Sequence, residues 1–296
     1  MRPVSSSDAL AGLLHLNPWA GPDIERSSRA PDWAQKVRTA SLERLDQGVT
    51  AWNSWATAMA GLRTLLPPAP KTVLQFEALA QTDFSGAVLR GLDLAGAMFP
   101  GKVSFAETRA GADVWLNACI FSGDVTFSGA VFERDLSIER SRFEAGLRFD
   151  GATLNGALQA REIRCERGMS GARAQFTDVW AANARLAGPV DFSDAAFRSD
   201  ASFVSTVFQA NANFTRCTFK GNAGFEQSKF EAAAVFANAS FVRNVRFKGA
   251  HLPGDVDFGG AAFQGVFDFD GVVFEGTPSN NVVSLPRARR AGDPLI

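Results

Sequence analysis

Residues able to do covalent or metal chemistry are few in this chain and far apart. It has three cysteines, Cys119, Cys165 and Cys217, and two histidines, His15 and His251. The cysteines form neither a C-x-x-C metal pattern nor a disulfide framework, which suits a reducing compartment such as the cytoplasm. Acidic pairs occur at Asp255/Asp257 and Asp268/Asp270. No P-loop, G-x-G-x-x-G after a strand, H-E-x-x-H or G-x-S-x-G accompanies them. Catalysis, cofactor binding and metal binding are therefore not expected. One group has a different character: Arg161, Arg164, Arg167, Arg173, Trp180 and Arg185 crowd into a short stretch. A basic, aromatic-bearing group of this kind does contact chemistry rather than bond chemistry.

The elements that position these residues show themselves through phenylalanine. The chain has 26 Phe and no Tyr among 296 residues. Phe fills volume and makes no hydrogen bond, so the skew signals one structural role repeated many times. From Phe192 to Phe274 the large apolar residues, almost all Phe, are separated by alternating steps of five and six. The same beat runs from Phe99 to Leu154, and a plain five-residue beat links Phe84, Leu89, Leu94 and Phe99. Only Phe76 and Phe267 fall off this grid.

Two residues before each grid position stands a small or β-branched residue, such as Ala201, Cys217, Ala223 or Val245. A period of two places both on one side of an extended chain, so both point inward. A helix would need a 3.6 period, and an ordinary sheet would alternate between turns every 8–12 residues. Inward pairs with a corner every five or six residues require a four-sided coil of about 22 residues. Phe203, Phe225, Phe247 and Phe269, each 22 apart, should then stack on one another. The grid holds 36 positions, enough for nine coils. At ~4.8 Å per layer the rod is about 43 Å long.

This pattern resembles the pentapeptide-repeat family, whose motif is A(D/N)LXX around a central Leu or Phe. The nearest stretch is Ala87-Val88-Leu89, Leu92-Asp93-Leu94 and Ala97-Met98-Phe99. The resemblance covers about residues 82 to 275 and implies an all-β repeat, a right-handed quadrilateral β-helix of about nine coils. The regular six-residue step departs from the motif and predicts slightly bulged corners. The grid also makes Cys119, Cys165 and Cys217 inward-facing filler and His251 an outward residue. It weakens between Leu154 and Phe192, where Ala160, Cys165 and Gly171 take ladder positions and one six-residue step shrinks to five. That break is read either as a kinked, loosely filled coil or as a contact site built on Arg161, Arg164, Arg167, Trp180 and Arg185.

The ends differ from the rod. Over residues 31–66, Trp33, Val37, Ala40, Leu45, Val49, Trp52, Met59 and Leu62 recur at helical spacing. Gly48 separates two helices, Thr50 is a candidate N-cap, and Pro67-Pro68 ends the second. Trp52-Asn53-x-Trp55 looks like the helix that precedes the coil in many relatives. Trp33, Trp52, Asn53 and Trp55 are accordingly assigned to a helical cap over 31–80 that covers the open end of the rod, with partner recognition as the second reading. Residues 1–30 read as loosely attached and 276–296 as a flexible tail. The apolar run Ala9–Leu16 is too short for a membrane span and lacks the marks of a secretory signal, so a cytoplasmic location is expected. Relatives that dimerise through a C-terminal hydrophobic helix have no counterpart here, so the oligomeric state stays open.

Function follows from a rod with no cleft: a non-catalytic module that binds a protein partner. The alternative comes from the resemblance. Some family members imitate duplex DNA, bind type II topoisomerases such as gyrase and protect against quinolone-like poisons. Charge speaks against that here, because residues 81–275 hold 19 Lys/Arg and 23 Asp/Glu, a balance of −4. A duplex as long as the rod would carry about 25 negative charges. Nor does so balanced a chain invite direct binding of nucleic acid.

Overall fold

The computed structural model describes residues 6–21 and 23–275. From Thr82 onward the chain winds through short strands, nearly all two residues long. They join into four parallel sheets of eight, nine, nine and nine strands. Successive strands always belong to different sheets, so each sheet is one side of a rod. We call these sides face 1 (beginning at Thr82–Asp83), face 2 (Val88–Leu89), face 3 (Leu92–Asp93) and face 4 (Met98–Phe99). Register along a face advances by one coil, as in Phe208↔Phe230 and Val245↔Phe267.

The inward positions build a continuous apolar core. Phe225 and Phe247 are fully buried, and their rings stack 4.9 Å apart within 7° of parallel. On face 4 the rings of Phe208 and Phe230 lie 4.4 Å apart. The expected column of four holds for Phe203, Phe225 and Phe247, but Phe269 tilts by 57° against Phe247. Phe267 causes this. It occupies the small inward position of the last coil, in register with Val245, and presses within 4.2 Å of the Phe269 ring.

The two step lengths make different corners. A five-residue step closes with a β-turn, as where Thr108 N donates to Phe105 O at 3.2 Å and Glu107 takes φ +57°. The same left-handed residue recurs at Asp194 and Asn238, among others. The six-residue steps between faces 2 and 3 leave an additional N–H, and an acidic or amide side chain from the coil below accepts it. Asp200 Oδ1 accepts from Asn222 N at 2.8 Å, and Asn244 Oδ1 from Val266 N at 3.0 Å. The bulged corners predicted from the beat are thus closed by side chains.

Among the described residues, five α-helices and a short 3-10 turn (Pro18–Ala20) precede the rod: α1 (Ser6–Leu16), α2 (Ile24–Ser27), α3 (Trp33–Asp46), α4 (Gly48–Leu65) and α5 (Pro70–Ala80). Residues 1–30 were expected to be loosely attached. Instead α1 packs on α4, with Ala9 and Leu13 fully buried. Their i, i+4 spacing puts both on one helical face, a signal too short to weigh without its partner. The cap therefore begins at α1, not at residue 31. Thr50 is likewise not a cap: it lies inside α4, where its carbonyl accepts from Ser54 Oγ. The tail assigned to 276–296 lies outside the described residues.

The cap substitutes for a missing coil. Asn53 Oδ1 accepts from Met98 N at 2.9 Å and its Nδ2 donates to Gly96 O at 3.0 Å, as a neighbouring strand would. Trp52 Nε1 donates to Met98 O at 2.8 Å, and Ser41 Oγ accepts from Asp83 N at 3.0 Å. The Trp52 ring is fully buried against Phe84 and Phe99, the first rungs of the ladder. Arg44 lies 3.8 Å over the Trp55 ring; burial pushes its guanidinium down to about 10, still charged at neutral pH.

Candidate interaction surface

Each sequence-predicted residue can now be placed. Cys119, Cys165 and Cys217 point into the core and are buried. Burial pushes the Cys119 thiol up to about 12 and Cys165 to about 11, and raises Cys217 as well. Each donates to a backbone carbonyl: Leu94 O, Gly168 O and Phe192 O respectively. We expect none of the three to react with a thiol reagent in the native protein and all three to react after unfolding, read by absorbance. Their linkage to pH has a definite sign. The unfolded thiol ionises near 9.0 and the folded one higher, so stability falls as pH rises from about 9 toward 12.

His251 is exposed on face 4. The acidic pairs serve local structure: Asp257 Oδ1 accepts from Gly259 N, Asp268 Oδ1 accepts from Asp270 N, and Asp270 faces Lys248.

The weak stretch of the grid changes side-chain volume and shortens one corner by a residue, but leaves the strand pairing intact. The strands at Leu158–Gln159 through Arg185–Leu186 keep their register on all four faces. Gly171 holds the ladder position of face 1, and the rings of Phe192 and Phe176 close over its place, Phe176 edge-on to Phe149 and Phe192 at 6.1 and 6.0 Å. Met169, just before it, is buried as well. In place of a loosely filled coil, one of the two readings of the break, the position is packed from the next coil and the next face.

The arginine group divides in two. Arg164 and Arg185 stand exposed on face 4, in register on adjacent strands. Trp180 is half-buried on face 3, in register with Gln159. Arg161 sits at the corner between faces 3 and 4 and pairs with Glu139 at 2.7 Å. Arg167, on the far corner, lines a groove with Arg63, Phe76 and Glu144. The five residues are therefore spread around two corners, and Trp180 does not share a face with Arg164 and Arg185.

Sequence reasoning missed Arg142. It lies in register with Arg164, so Arg142, Arg164 and Arg185 form one outward column. The signal was available in their spacing of 22 and 21 residues, one coil each.

A parallel four-sided solenoid with such a Phe ladder defines a class of repeat protein. The family model described as pentapeptide repeats (9 copies) matches residues 116–159, 181–229 and 225–273, and the chain belongs to the pentapeptide-repeat family. No curated protein matches it. Two solved structures of trypsin-treated QnrB1 variants, titled a plasmid-mediated fluoroquinolone resistance protein, align at 16% identity. One alignment covers 68% of this chain and 95% of that one with a TM-score of 0.16, the other 69% and 92% with 0.17. Similarity at that level decides nothing about a shared partner. Among the described residues, no helix is long and apolar enough to cross a membrane.

Proposed function

We propose that this chain is a non-catalytic protein–protein interaction module of the cytoplasm, a rigid rod whose outward side chains are its working part. One observation carries the reading: the interior of the rod is filled by its own ladder, with Phe rings from Phe84 to Phe236 buried on successive coils. A rod packed in this way meets other molecules on its outside, where its charged and apolar columns vary freely from coil to coil.

The alternative is a DNA mimic acting on type II topoisomerase. It requires a continuous acidic face, whereas face 4 carries three successive arginines and the rod balance is only −4. Two measurements separate the readings. Full-length protein immobilised on a support should capture a host partner saturably, and micromolar protein should leave gyrase supercoiling unchanged. Inhibition of supercoiling would favour the mimic. Failure to capture any partner would remove the module reading.

A further inference from the structure

Face 4 presents its outward residues as one column: Ile120, Arg142, Arg164, Arg185, Val207 and Lys229 follow in register. Neighbouring strands are ~4.8 Å apart, and like charges directly opposite one another on adjacent strands destabilise a sheet. Some cations on the rod are relieved locally. Arg216 pairs with Asp194, Lys229 with Glu231, and Arg161 with Glu139. Arg142 lies 3.4 Å from Glu144 and 3.8 Å from Glu166. Arg164 and Arg185 make no ion pair among the described residues, as is true of several other rod cations, but only they continue a column of arginines in register with Arg142. Two exposed guanidinium groups thus stand in register on adjacent strands with no carboxylate in close contact, Glu231 acting on Arg185 only at longer range. Apolar residues bracket the column, Ile120 below at 41% exposure and the partly exposed Val207 above.

We infer that the Arg142–Arg164–Arg185 column on face 4 docks an acidic segment of a partner protein, one carrying apolar residues on either side of its carboxylates. The inference rests on the interaction-module reading and gives that partner its chemistry. Guanidinium forks recognise carboxylates in a bidentate manner, which fits the two unpaired arginines. Ile120 and Val207 would meet the apolar flanks. Nucleic acid fits less well, because Ile120 and Val207 end the basic column after three residues, a short run for a continuous phosphate chain.

The test uses full-length protein and two labelled probes: a glutamate-rich peptide with leucines at both ends, and a short DNA duplex. The peptide should bind saturably and weaken as salt is raised. The double variant Arg164→Glu/Arg185→Glu should lose affinity by about tenfold. Arg109→Glu, an exposed charge on face 2, should change little. Far-UV circular dichroism should be unchanged in the double variant, since both side chains point outward. Equal peptide binding by wild type and double variant, no saturable binding, or tighter binding of the duplex would each overturn the inference. Lysate capture distinguishes the two levels. If wild type and double variant retain the same partner, the column is wrong while the module stands. If wild type retains none, the module itself fails.

Discussion

Replacing Phe225 with alanine is expected to destabilise the protein by about 3–5 kcal/mol, the range for truncating a fully buried aromatic ring. Phe225 is in the middle of a column, with Phe203 at 5.2 Å and Phe247 at 4.9 Å stacked on either side. Phe214 and Phe236 meet it edge-on at 5.6 and 5.4 Å. A rod cannot collapse laterally into the space left, because each coil is held by backbone hydrogen bonds to the coils on both sides. Phe225 N, for instance, donates to Arg246 O at 2.7 Å. Urea unfolding followed by circular dichroism measures the loss. Phe263→Ala, at the partly exposed last coil, serves as comparison and should cost clearly less. A loss below about 1 kcal/mol at Phe225 would contradict the packing described here.

Gly171→Phe restores the residue that the repeat asks for, yet it should destabilise by about 3 kcal/mol or more. A Cβ at this position would already lie 2.7 Å from Phe192 Cε1 and 3.2 Å from Phe176 Cζ. The space that a regular ladder would give to this side chain is taken first by the ring of Phe192 and then by that of Phe176. Combining Gly171→Phe with Phe192→Leu removes the nearer ring, which stacks above on Phe214 of the same face. The pair should therefore recover part of the loss, a coupling that a double-mutant cycle reads directly. Stabilisation by Gly171→Phe alone would show that the gap is empty rather than filled.

These two residues mark how far the sequence could be read. Phe225 was placed by periodicity alone. A core position repeated once per side and once per coil writes itself into the chain as a five- and six-residue beat, and the burial of Phe203, Phe225 and Phe247 follows from it. The inward setting of Cys119, Cys165 and Cys217 was legible for the same reason, as was the role of Trp52 and Asn53 at the open end. The column of Arg142, Arg164 and Arg185 was legible in principle through its 21- and 22-residue spacing. It was obscured because outward positions carry no repeated type for the eye to follow.

The amino-acid sequence by itself determined the four-sided coil, its pitch in residues and which side chains face inward, because those depend on local spacing repeated many times. Tertiary structure alone decided what fills the gap at Gly171 and that α1 completes the cap. Each of these depends on a single contact between residues distant or displaced along the chain. A contact made once leaves no period in the sequence, and only the packed molecule brings its partners together.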